Sequence, residues 1–186
     1  MHFQEQIEQI SLSWKLAARL VLLGYIKGSP IGYRPLRSMK PEGPIHMAST
    51  VWQGSGYTPI KAWDDDRIAG LLSGYRANYK AYSEQQGSKR DPLKQTFFNC
   101  YMPVISFFEA KEFFRENYDI DFIERPHIGR EKLYICDPVG PGLGQPRLKA
   151  VATPKEALIQ CIEYLLEKVE PLTYKVGETR SEEEHE

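Results

Sequence analysis

Between Ser106 and Cys136 the spacing of apolar residues changes period almost without a break. That change restricts the chain to folds in which a helix feeds directly into strands. Phe107, Ala110, Phe113, Phe114 and Tyr118 recur at helical spacing, with Lys111, Glu112, Arg115 and Glu116 interleaved. Ser106-Phe-Phe-Glu109 is a capping box: the serine oxygen can accept the N–H of Glu109 while the glutamate reaches back to the N–H of Ser106. From Asp119 the period falls to two, through Asp119-Ile120-Asp121-Phe122-Ile123. Leu133 to Cys136 repeats it after a Pro/Gly loop, so the pair reads as a hairpin.

The flanking segments add further helices. Asp91-Pro92 starts one, with Leu93, Thr96, Phe97, Cys100 and Tyr101 on its apolar face, and Pro103 interrupts it. Residues 3–24 read as a long helix whose apolar arc, from Phe3 to Leu23, is too wide for a surface helix; Gly24 is its natural stop. The carboxylates of Asp64, Asp65 and Asp66 suit the positive end of another, striped by Ile68, Leu71, Leu72, Tyr75, Tyr79 and Tyr82. Gly70 and Gly74 should weaken that helix by about 1 kcal/mol each relative to alanine, and close approach of another backbone is the expected compensation. Thr153-Pro154-Lys155-Glu156, a second capping box, opens a helix carrying Leu158, Cys161, Ile162, Leu165, Leu166 and Val169, which Pro171 ends. The expected class is therefore α+β: about five helices packed on a small, mainly antiparallel sheet of three to four short strands at 119–124, 132–137, 147–152 and 46–53.

One globular domain is expected over 1–174, with an irregular Pro/Gly-rich segment at 27–61 and a disordered acidic tail at 175–186. A chain of 186 residues buries roughly 70% of its extended surface, so folding needs no metal or disulfide staple. A net charge of −1 supplies no global field that would draw in polyanions or an acidic membrane. Cys100, Cys136 and Cys161 lie on apolar faces without a CxxC pair, as expected of free thiols in a reducing compartment. Glu5 and Glu8 stand where a targeting segment would be basic, and Leu20–Leu23 is too short to span a bilayer. A soluble, cytoplasmic protein without a cofactor is the expectation.

Four constellations hold residue types that could carry chemistry. Arg67, Arg76, Lys80, Lys89, Arg90 and Lys94, with Tyr75, Tyr79 and Tyr82, combine phosphate-neutralising and base-stacking residue types. The tyrosines, however, occupy the stripe that the helix should bury. His127, Cys136 and Asp137 hold the residue types of a cysteine nucleophile and its base, but most of a strand separates the first two. Asp119, Asp121 and Glu124 could hold a divalent ion for a phosphodiesterase or nuclease. Gly140, Gly142 and Gly144 lack the Lys-Ser/Thr of a phosphate loop, and Pro141 and Pro146 remove donors, so that run reads as a loop.

No catalytic signature stands above its structural explanation, and no motif identifies a family. The leading expectation is a non-enzymatic binding or adaptor module that meets another protein within a larger cytosolic assembly. Nucleic-acid binding through 67–94 and metal-dependent hydrolysis are the alternatives. Tyr33, Arg34, Arg37, Trp52 and Tyr57 in the irregular segment, and the exposed remainder of the N-terminal helix, are the expected partner surfaces. Deletion of 28–44 is expected to leave folding largely intact.

Overall fold

The computed structural model describes residues 6, 9–27, 31–33, 44–46, 51–53, 56–58, 65–85, 91–93, 102–127, 132–144, 146 and 148–172; for 31–33, 44–46, 51–53, 56–58, 65–69 and 127 the description is of the backbone. In chain order the elements are α1 (Trp14–Leu23), β1 (Ile31–Tyr33), β2 (Pro44–His46), β3 (Val51–Gln53), β4 (Gly56–Thr58), α2 (Asp65–Ser83), β5 (Met102–Pro103), α3 (Phe107–Tyr118), β6 (Asp121–His127), β7 (Leu133–Val139) and α4 (Pro154–Lys168). The class is α+β, with four helices among the described residues rather than about five. Among the described residues the strands form three small antiparallel sheets, ordered β2-β1-β5, β3-β4 and β6-β7, instead of one. Most of the helix expected over 91–101 lies outside the described residues, as does the acidic tail at 175–186.

The N-terminal helix is shorter than its apolar pattern suggests. Residues 6, 9 and 10 are helical, but Ser11 forms an antiparallel bridge with Ser106, and the Leu12 N–H donates to the Ile105 carbonyl at 2.9 Å. Two backbone groups thus leave the helix for a tertiary partner. Ser13 then restarts it as N-cap, its Oγ accepting from the Leu16 N–H at 3.4 Å. Gly24 ends α1 at φ 118°, a left-handed conformation that favours glycine. The wide apolar arc is explained by position: Leu16, Ala17, Ala18, Leu20, Val21 and Leu23 are all buried, with α2, α4 and β5 packed around them. Within α1 only Lys15 is exposed; of the N-terminal stretch expected to offer a partner surface, residues 6, 9 and 10 are exposed, Ile10 by 59%, and 1–5, 7 and 8 lie outside the described residues.

α3 forms as its sequence dictates. The Ser106 N–H donates to Glu109 Oε2 at 2.7 Å and the Glu109 N–H to Ser106 Oγ at 3.1 Å, closing the capping box. Asp119 stops the helix in the left-handed region at φ 54°, which an aspartate tolerates better than most residues. It therefore belongs to the turn, and the strand begins at Asp121, two residues later than its alternation implies. This sharp turn drops Ile120 into the core and sends β6 back beside the helix that precedes it. Phe114 anchors the junction, with ring centroids 5.6 Å from Phe113, 6.0 Å from Tyr118 and 6.0 Å from Phe122. Tyr25 joins the same cluster through Phe113 at 5.8 Å.

β6 and β7 pair over seven residues each, from Asp121↔Val139 to His127↔Leu133. Instead of a strand over 147–152 there is one bridge: Tyr134 and Val151 exchange both backbone hydrogen bonds, at 2.8 and 3.0 Å. Because the Tyr134 N–H and C=O point to Val151, they point away from β6. Its β6 partner Pro126 therefore sits at a non-hydrogen-bonded position, where a missing N–H costs no ladder bond. Pro138, four residues from Tyr134, shares that parity. The outward edges of both strands are thus short of donors, which blunts them against addition of a further strand.

A single bridge does not make the expected strand at 147–152, because Thr153 turns the chain into α4. Its Oγ1 accepts from the Glu156 N–H and the Glu156 carboxylate takes the Thr153 N–H, each at 3.2 Å. α4 lays Ala157, Leu158, Cys161, Ile162 and Leu165 against β7 and α1. Beyond it, the Leu172 N–H donates to the Leu23 carbonyl at 2.8 Å, tying the segment after α4 to the end of α1. The long strand expected over 46–53 is replaced by β2 at 44–46 and β3 at 51–53, which belong to different sheets. Among the described residues nothing stands within 4 Å of where a Cβ would stand at Gly70 or Gly74, so no described backbone makes the close approach expected there.

Candidate interaction surface

Alternation along the β6–β7 hairpin assigns its residues to two faces. On the inner face lie Phe122, Glu124, Tyr134, Cys136 and Pro138, turned toward α3 and α4. On the outer face lie Asp121, Ile123 and Arg125 of β6 with Leu133, Ile135, Asp137 and Val139 of β7. Ile123 and Val139 are each 50% exposed, and Leu133 and Ile135 are half-buried. Crossing this apolar strip, Arg125 Nη2 and Nε both donate to Asp137 Oδ2, at 2.6 and 3.1 Å. An ion pair this open to water contributes at most about 1 kcal/mol; it nonetheless links two charged groups diagonally across the strip. With seven residues per strand the face runs about 20 Å.

The acidic residues of the hairpin region do not converge. Asp121 Oδ1 accepts from Arg115 Nε at 2.7 Å, while Glu124 pairs with Lys111. Asp121 and Glu124, three residues apart in one strand, belong to opposite faces, and Asp119 lies in the preceding turn. Among the described residues no three His, Cys, Asp or Glu side chains come together as a metal set.

The thiol constellation is divided in the same way. Cys136 is on the inner face, while Asp137 is on the outer one. His127 pairs with Leu133 three residue pairs from the Cys136 level, about 10 Å along the strand, and its strand position belongs to the outer face. Cys136 instead meets Cys161 of α4, both being buried free thiols. The hydrogen bond between the two, then burial and the nearby charges of Cys136 and Asp137, push the Cys161 thiol far above the ordinary thiol range. It stays protonated and is not activated as a nucleophile.

The basic-aromatic group separates as its helical phase implies. Tyr75 is fully buried, and its hydroxyl donates to the Leu93 carbonyl at 3.5 Å. Arg76 Nη1 donates to the Val21 carbonyl at 3.3 Å, so this cation braces α2 against α1. Lys80 lies 4.0 Å from Glu84 on the exposed side of the helix. Arg67 is near the start of α2, whereas Lys89, Arg90 and Lys94 lie outside the described residues. In the irregular segment, Tyr33 pairs with Pro44 and Met102, and Trp52 stands opposite Tyr57 across β3–β4; Arg34 and Arg37 lie outside the described residues. Only residues 54 and 55 separate the antiparallel strands β3 and β4, so the two form a hairpin.

A cavity of about 190 Å³ lies between the hairpin and the first turn of α4, lined by Glu124, Pro126, Tyr134, Ile135, Pro154 and Ala157. That is below the roughly 300–1,000 Å³ common for small-molecule sites. The outer strip was not recognised from the sequence, although Ile123 and Val139 carry a signal. Both are apolar out of phase with the inward residues Ile120, Phe122, Cys136 and Pro138.

No helix among the described residues is long and apolar enough to cross a membrane. No protein-family model, curated protein or solved structure matches the chain.

Proposed function

We propose that the protein is a non-enzymatic binding or adaptor module in a larger cytosolic assembly, and that it meets another protein through the outer face of the β6–β7 hairpin. One observation carries this reading: Ile123 and Val139, diagonal neighbours on that face, each leave half of their surface in water beside Leu133 and Ile135. Exposed apolar residues interleaved with charged groups such as Arg125 and Asp137 give the mixed composition found in protein–protein contacts, where arginine is enriched. Prolines that blunt both strand edges favour contact through the face over contact through strand addition. The inner face, held by Phe122 and the Lys111–Glu124 pair, supplies a fixed platform.

The test pairs a photo-cross-linking residue at position 123 with one at Glu163, an exposed position on α4. The double variant Ile123→Thr/Val139→Thr removes apolar surface but keeps β-branched side chains suited to a strand. A partner linked from position 123 and not from 163, and no longer retained by the double variant at a Tm within a few degrees of the parent, is the expected result. Equal linking from both positions, or full retention by the double variant, would overturn the assignment.

A further inference from the structure

We draw no further inference here: the strongest candidate, the half-exposed apolar outer face of the β6–β7 hairpin around Ile123 and Val139, belongs to the surface already described, and nothing in the structure shows what covers it.

Discussion

Phe114 and Phe108 are the same residue type on the same helix, yet they sit at opposite extremes of burial, 0% and 67% exposed. Truncating each to alanine separates tertiary packing from local helix formation. Phe114→Ala removes a ring that meets Phe113, Tyr118 and Phe122, and so empties the junction where α3 turns into β6. A buried Phe→Ala change costs about 3–5 kcal/mol, combining lost transfer energy with the cavity left behind. The three aromatic contacts belong within that figure, since each is worth only about 0.5–1.5 kcal/mol beyond buried area and they share one ring. For a chain of this size the corresponding fall in Tm is about 6–20 °C. Phe108→Ala loses little burial and gains helix propensity, so its change stays within about 0.5 kcal/mol. Urea unfolding followed by circular dichroism, with both variants extrapolated at the parent's m-value, measures the contrast. A loss below about 1 kcal/mol for Phe114→Ala, or a larger loss for Phe108→Ala, would refute the view that this ring secures the hairpin platform.

Four further outcomes follow from particular contacts. Gly74→Ala should stabilise by about 1 kcal/mol, since nothing among the described residues stands within 4 Å of the added Cβ; a loss in urea unfolding would show that the glycine is needed. Gly140→Ala should destabilise by about 1–3 kcal/mol, because its Cβ would meet Ile120 Cγ1 at 2.7 Å and the Asp119 carbonyl at 2.8 Å; an unchanged Tm contradicts this. Cys161, its thiol raised by Cys136 and burial, contributes stability that is complete below the pKa of an unfolded thiol, about 8.5, and is lost as pH rises past it. The slope is at most about 1.4 kcal/mol per pH unit, and a Cys161→Ala variant whose stability difference from the parent does not shrink between pH 8 and 10 would refute that linkage. Finally, deleting 28–44 removes β1, the strand that pairs with β5 through Gly32↔Pro103 and Tyr33↔Met102, so the deletion should lower the Tm where the sequence alone implied tolerance; a superimposable melt would show that this pairing contributes nothing.

Local chemistry was legible wherever neighbouring residues complete one another. Both capping boxes, the stop at Gly24, the helical stripes of α3 and α4 and the hairpin after Asp119 follow from spacings of four residues or fewer. Such features depend on backbone groups that the same segment satisfies, and the α+β class follows from them. What the sequence left open was decided by pairings remote in the chain. Ser11 and Leu12 leave a helical pattern because Ile105 and Ser106 offer their backbone a partner. The 147–152 segment meets β7 in one bridge, between Val151 and Tyr134, because Thr153 turns the chain into α4 directly afterwards. Asp119, Asp121 and Glu124 look like a cluster in one dimension, but a turn and a two-residue side-chain period scatter them. The apolar strip of Ile123 and Val139 arises from the register that sets them diagonally across two strands, and register is a property of the pairing, carried by neither strand alone.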